Sequence, residues 1–321
     1  MTLRENILAA LEQSGDAPLS GQMLAARFGV SRSAVWKAVN ALKDEGYSIS
    51  SATNRGYRLE ADSDVLSAQT IERLLDGQMP VFTYKSLDST NSQARRLLDG
   101  GTACPFLVAA EAQTDGRGRR GRAFVSPAGA GLYMSVALRP GTELENAGRL
   151  TAYAAVCAAQ AIEAVCGRSC GIKWVNDLFL DGKKVCGILS EAVTDFESGG
   201  IDAAVVGIGV NLHPFDVPEP LRDTVGFLHA GAVKNRLAAE IAARLVQFDA
   251  EEADFMDAYR RRSIVLGRTV AFTRDGAACT GTAAAIDNSG ALHVRGSGGE
   301  TVLRSGTIRL VETSYKKTDK S

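Results

Sequence analysis

The chain has 321 residues, with 36 lysines and arginines against 37 aspartates and glutamates, and 45% hydrophobic side chains. That length gives room for two or three domains with real cores, and the composition is that of an ordinary soluble protein. A net charge of −1 argues against a protein that meets polyanions over its whole surface, so any nucleic-acid contact must come from a local patch.

The first sixty residues carry their own pattern. Ile7, Leu8 and Leu11 share a helix face behind a Thr2 cap, and Ser20 caps a second helix with Leu24 and Phe28 inward. Gly29 breaks that helix and Ser31 caps a third, in which Val35, Val39 and Leu42 make the buried stripe. Gly46 ends it. YSISSATNRGYRLE then reads as strand, turn at Asn54 to Gly56, strand. This is the order of a winged helix-turn-helix. A small three-helix interaction domain is the other reading. The outward turns of the third helix favour DNA: Ser31, Arg32, Ser33, Trp36 and Lys37 offer hydroxyls and cations to phosphates and base edges, and the wing adds Arg55 and Arg58.

Residues 61 to 80 read as a connector and a short helix around Ile71 to Leu75. From Val81 to about Gln247 strands (FLVAAEAQ, GLYMSVALRP, VCGILSEAV, AAVVGIGVNL) alternate with helical patterns (TNSQARRLLDG, RLTAYAAVCAAQAIEAV), which predicts a mixed α/β domain. LAAEIAARLVQFDAEEADFMDAYRRR is a helical coda. From Gly267 to Val311, short strands punctuated by DG, NSG and GSGG predict a small antiparallel barrel, followed by a frayed tail. The expected division is 1–62, 63–265, 266–313 and a tail at 314–321.

The six cysteines have no paired C-x-x-C spacing; Cys166 and Cys170 are separated by three residues, with no second ligand pair. The three histidines are scattered, so no zinc site is expected. No signal sequence or membrane-length apolar run appears, and a cytoplasmic protein is expected.

One stretch is out of keeping with the neutral chain. DGRGRRGRAF, Asp115 to Phe124, holds four arginines and three glycines. Glycines let backbone approach a ligand, and arginines supply permanent forked charge. Taken alone, the loop could close over a small anion or slide into a minor groove. Its neighbours decide. LDSTN (Leu87 to Asn91) puts hydroxyls and an amide at a helix start. KWVND (Lys173 to Asp177) joins cation, amide and carboxylate. DGKKVCGIL is a hairpin turn carrying Lys183 and Lys184 into an apolar strand. In GIGVN, Gly207 and Gly209 share one strand face, which can admit a flat ligand. Each piece has a bland reading as a cap, a loop, a solvated turn or a packing spot. Their co-occurrence in one α/β domain does not.

In these motifs the chain resembles the biotin protein ligases of the bifunctional type that also repress biotin synthesis genes. GRGRRGR, KWVNDL and GKKVCGIL carry the resemblance, which spans nearly the whole chain; the lipoate ligases share the central fold but differ in the arginine–glycine motif. The resemblance implies a winged helix, a ligase domain of the class II synthetase type and a C-terminal SH3-like barrel. It implies that Ser89, Thr90, Asn91, Gln113, Gly116 and Arg117 hold the ureido end of biotin and its linker. Arg119, Arg120 and Arg122 would close over biotin and the adenylate phosphate. Lys184 would stand beside the biotin carboxylate and α-phosphate, with Gly187 next to it. Gly207 and Gly209 would floor the pocket, Asn211 would lie near the adenylate, and Phe227 would cover the adenine. Asn176 and Asp177 would form the nucleotide and Mg²⁺ end. Phe124 stands where a tryptophan is common, and Val175 where a proline is frequent; these put lid packing and loop stiffness in question.

The implied reaction has two halves. Biotin and ATP give biotinyl-5'-AMP, and the acyl group then passes to a lysine of the biotin carboxyl carrier protein of acetyl-CoA carboxylase. The biotin carboxylate is ionised at neutral pH, so the first half needs alignment and charge neutralisation by Lys184, the arginines and Mg²⁺ rather than a base. Asp177 is the candidate acceptor of the lysine proton in the second. The adenylate would also act as co-repressor, favouring a homodimer that presents two winged helices to operator DNA. The rivals are a ligand-sensing transcription factor without ligase activity, an architectural DNA binder using the RGR core, and a ligase whose winged helix has lost DNA binding.

Overall fold

A computed structural model describes residues 2–15, 17–52, 56–60, 65–140, 147–194, 201–249, 254–274 and 276–311. The chain opens with α1 (Leu3–Ser14), α2 (Gly21–Phe28) and α3 (Arg32–Asp44), followed by the antiparallel pair β1 (Ile49–Ala52) and β2 (Gly56–Leu59). The expected caps are in place. Thr2 and Glu5 form a reciprocal capping box on α1, Ser20 Oγ accepts from Met23 N, and Ser31 Oγ accepts from Ala34 N. Gly29 ends α2 in the left-handed region at φ 64°. Ile7, Leu11, Leu24, Val35, Val39 and Leu42 close a core of their own under the hairpin. The expected turn residue Asn54 and the wing residue Arg55 lie outside the described residues.

Ser67 caps α4 (Ala68–Leu74), which leads into the central unit. Seven strands form one sheet there: β3 (Val81–Tyr84), β4 (Phe106–Ala110), β5 (Gly131–Leu138), β6 (Gly171–Lys173), β7 (Asp177–Leu180), β8 (Lys183–Thr194) and β9 (Ile201–Asn211). Their order is β3-β4-β5-β9-β8-β7-β6, parallel only between β3 and β4. Strands β3, β6 and β7 have four residues or fewer, too short for periodicity to reveal. The β7–β8 turn is the predicted one: Asp181 and Gly182 both take positive φ, at 50° and 78°.

Alternation along the strands gives the sheet two faces. On one, Leu107, Met134, Val136, Val206 and Ile208 pack in the main core with α6 (Ala147–Cys166), α7 (Lys234–Leu245) and α8 (Asp254–Arg262). Six buried alanines from Ala152 to Ala161 let that part of α6 lie buried nearly all round, as its run of small residues suggests. On the other face Phe106, Val108, Ala137 and Val205 meet Ala94 of α5 (Thr90–Asp99). The coda expected as one helical stretch is two helices, since α7 ends at Leu245.

The last strands, β10 (Thr269–Arg274), β11 (Ala277–Ile286), β12 (Leu292–Gly296), β13 (Gly299–Leu303) and β14 (Arg309–Leu310), form an antiparallel sheet in the order β13-β12-β11-β10-β14. The expected barrel is thus seen as a five-stranded sheet whose edges β13 and β14 are not paired with each other among the described residues. Its DNSG turn docks on the central unit. Asn288 O accepts from Arg149 at 2.6 Å, and Gly290 O accepts from Trp174 Nε1 at 2.9 Å. The tail at 314–321 lies outside the described residues. Among those described, no helix is long and apolar enough to cross a membrane.

Candidate active site

Because side chains alternate, Gly207 and Gly209 of β9 share the sheet face of Val205, and Gly187 pairs directly with Gly209 across β8. The three glycines leave a shallow floor on the α5 side. A Cβ at Gly207 would collide with Asn91 Oδ1, and one at Gly209 with the Phe124 ring. Above this floor lies a cleft of about 450 Å³, partly open to solvent, and the start of α5, the arginine loop and β8 wall it.

Its inner end is built mainly from neutral side chains bonded to one another. Thr90 N donates to Gln113 Oε1 at 2.8 Å, and Gln113 Nε2 donates to Ser126 Oγ at 2.9 Å. Ser135 Oγ sits 2.8 Å from Thr90 Oγ1 and 2.6 Å from Asn91 Oδ1. Asn91 Nδ2 donates to Glu191 at 2.7 Å. Ser89 occupies the α5 N-cap, yet its hydroxyl makes no capping bond. The STN motif is therefore more than a cap. Satisfied amides and hydroxyls locked by one another can read a neutral polar ligand without reorganising.

The outer end is charged. Lys184 Nζ lies 2.7 Å from Asp177 Oδ1 and 6.0 Å from the centre of the Phe124 ring. Arg119 donates to Asn176 Oδ1 at 3.3 Å and to Gly306 O at 3.4 Å, so it ties the arginine loop to both the KWVND turn and the C-terminal sheet. Burial and the neighbouring Arg120 lower its pKa from the ordinary guanidinium value. Burial likewise lowers the Lys173 ammonium, while Asp177 acts in the opposite sense. Phe215, Val217, Leu221 and Val225 add an apolar wall, and Gly306 to Ile308 close the end from the C-terminal sheet.

The arginine loop is itself a small hairpin. Phe124 N donates to Gly116 O at 2.8 Å, and Gly118 N to Arg122 O at 2.7 Å. A single 3₁₀ turn at Arg119–Gly121 forms its tip, with Arg120 at φ 59°. Gly116 is needed for this hairpin, because a Cβ there would strike Phe124 O.

Ser89, Thr90, Asn91, Gln113, Arg117, Arg119, Lys184, Gly187, Gly207 and Gly209 all line the inner cleft. Arg119, Arg122, Asn176, Asp177, Lys184 and Asn211 line the outer part. Three expected residues stand elsewhere. Gly116 is buried within the hairpin, Arg120 lines a separate depression with Asp115 and Glu191, and Phe227 packs edge-on against Phe215 at 5.4 Å while Phe215 faces the cleft. Sequence reading passed over Ser135, Ser126, Glu191 and the 306–308 stretch, which carry no motif and arrive by strand pairing or domain docking. On α3, Arg32, Ser33, Trp36 and Lys37 are exposed, Trp36 to 56%, whereas Ser31 uses its hydroxyl on the helix cap.

Three family descriptions match in chain order: an HTH domain over 3–58, the biotin/lipoate A/B protein ligase family over 84–211, and the biotin protein ligase C-terminal domain over 265–311. The bifunctional ligase/repressor BirA of Bacillus subtilis is 36% identical over 262 residues, 79% of this chain and 80% of that protein. The chain belongs to the biotin protein ligase family. Another relative in this family, the biotin–[acetyl-CoA-carboxylase] ligase of Paracoccus denitrificans, is 34% identical over 69% of this chain and 96% of its own length. The structure of an Aquifex aeolicus biotin protein ligase in complex with biotin and ATP superposes with a TM-score of 0.60 at 24% identity, covering 73% of this chain and 99% of that one. At that identity the likeness is one of fold.

Proposed function

We propose that this chain joins biotin to ATP to form biotinyl-5'-AMP, then transfers biotin to a lysine of the biotin carboxyl carrier protein of acetyl-CoA carboxylase. In its adenylate-bound form it represses biotin synthesis genes through residues 1–62, with 63–265 as the ligase domain and 266–313 completing the nucleotide end. The observation that carries this reading is the continuity of the neutral and charged ends through Arg119, Asn176 and Lys184, which line both. The family relatives named above support it.

The ureido head would take the neutral end, where Ser89, Thr90, Asn91 and Gln113 offer hydroxyls and amides. The carboxylate would then lie toward Lys184. It attacks the α-phosphorus of ATP, the bond to pyrophosphate breaks, and the mixed anhydride forms. No base is required; Lys184 and Arg119 supply alignment and charge. In the second half the acceptor amine attacks the acyl carbon, AMP leaves, and Asp177 takes the amine proton. The arginine hairpin keeps water from the anhydride between the halves.

Mg²⁺ fits this end. Asp177 Oδ1 is buried and lies 2.7 Å from the Lys184 ammonium. Mg²⁺ characteristically relies on one or two carboxylates plus substrate phosphates. Asp177 and Asn176 would hold it, and it would neutralise phosphate charge. Cytoplasmic location and pairing of two adenylate-bound copies on operator DNA belong to the same proposal.

The test is biotin-dependent ATP–pyrophosphate exchange by the purified chain with Mg²⁺. Exchange with biotin and none with lipoate supports the reading. Biotin binding without exchange would leave a ligand-sensing transcription factor in its place.

A further inference from the structure

The nucleotide end rests on Trp174 to Asn176, the short turn between β6 and β7, and on Asp177, the first residue of β7. Where Asn176 and Asp177 stand depends on what grips this turn. One grip is β8, where Ile188 N donates to Asn176 O at 3.0 Å and Asn176 Nδ2 donates to Ile188 O at 2.7 Å. Another comes from α8. Tyr259 is fully buried, and its hydroxyl donates to Val175 O at 2.9 Å. Nothing in the chemistry above uses this phenol. The chain beyond α8 adds a second fastening, from Ile264 N to Ile172 O at 2.9 Å, so α8 and its continuation hold the peptide on both sides of Lys173 and Trp174.

Valine leaves φ free where a proline ring would fix it. A buried carbonyl also needs a donor, and misplacement of a reacting group by about 1 Å can lower a rate about a hundredfold. We infer that Tyr259 is a positioning residue for the nucleotide end: its hydroxyl, acting through the Val175 carbonyl, sets where Asn176 and Asp177 stand. Burial keeps the phenol well above its ordinary pKa, so it remains a donor at working pH. The role rests on the adenylation reading, whereas the grip itself does not.

The experiment compares the full chain with Tyr259→Phe, Val175→Pro and the double variant. Val175 N–H makes no backbone hydrogen bond among the described residues, so proline removes none. Tyr259→Phe should raise the KM for ATP about tenfold with the KM for biotin within about twofold, and proline in the same chain should restore most of the loss. Equal rises in both KM values, or no recovery in the double variant, would overturn the inference. Val175→Pro alone should leave the KM for ATP within about twofold; a large improvement would mean the turn was loose despite Tyr259, and would also overturn it. Amide hydrogen exchange over residues 171–180 without ligand separates the two claims. If the parent chain lacks pyrophosphate exchange, the adenylation reading fails. Protection lost in Tyr259→Phe and regained in the double variant still supports the grip, and unchanged protection removes it.

Discussion

The two ends of the cleft are built from opposite kinds of polar group. At the inner end Thr90, Asn91, Gln113, Ser126 and Ser135 are neutral, buried or half-buried, and bonded to each other. At the outer end Arg119, Lys173, Asp177 and Lys184 are charged and partly open, and the C-terminal sheet completes the wall. In the proposed function the inner end works by shape and fixed hydrogen bonds, so it should be brittle to volume and little affected by salt. The outer end works by charge, so it is brittle to neutralisation and sensitive to salt and to domain docking.

The sharpest break in this comparison is Lys184→Gln. It removes the charge that the proposed function puts beside the reacting carboxylate, and pyrophosphate exchange should fall about a thousandfold while biotin affinity changes far less; comparable losses in both would mean the ends are not separable. Next is Gly207→Ala. The new Cβ collides with Asn91 Oδ1, so the KM for biotin should rise about a hundredfold with the KM for ATP nearly constant. Steady-state kinetics with each substrate varied checks it.

Arg119→Gly should still make the adenylate but release it about tenfold faster or more, seen as biotinyl-AMP in filtrates of a reaction lacking carrier protein. Tight retention would contradict the hairpin's guarding role. Raising salt from about 0.05 to about 0.5 M should raise the KM for ATP several-fold and leave that for biotin almost unmoved.

The smallest effect concerns the C-terminal sheet on which the outer end leans. His293 lies between Asp287 and Glu300, and its pKa is raised first by the Asp287 hydrogen bond and then by Glu300. A raised folded-state value means stability that is present below the unfolded pKa and lost as pH rises through the folded one. Thermal midpoints should therefore drift down slightly as the pH passes above that value, and His293→Gln should abolish the drift. Burial alone would raise Asp287, but hydrogen bonds from Ser289, His293 and Ala291 hold it at about 2. Its contribution is fully present above the unfolded carboxylate value of about 3.9 and is lost progressively as pH falls from there through about 2.

Much of this was legible in local pattern. Caps at Thr2, Ser20 and Ser31 and the positive-φ turn at Asp181–Gly182 are decided by neighbouring residues, and they stand where the sequence places them. The glycine face of β9 follows from period two alone. Phe227 shows the limit. Sequence offers Phe227 as the aromatic over the proposed nucleotide, but which of Phe215 and Phe227 faces the cleft depends on how two rings pack edge-on.

By itself, the sequence determined the three-part organisation, the long strands, the caps of the first three helices and which residue types gather in the cleft. These rest on short-range terms: capping bonds, turn φ angles and hydrophobic period. Tertiary structure alone decided that Ser135 stands under Thr90 and Asn91, that Glu191 answers Asn91, that Gly306 receives Arg119, and that Tyr259 grips Val175. Those contacts join residues 44 to 187 positions apart. No local propensity encodes them, because strand register and the docking of one domain on another fix which distant groups meet.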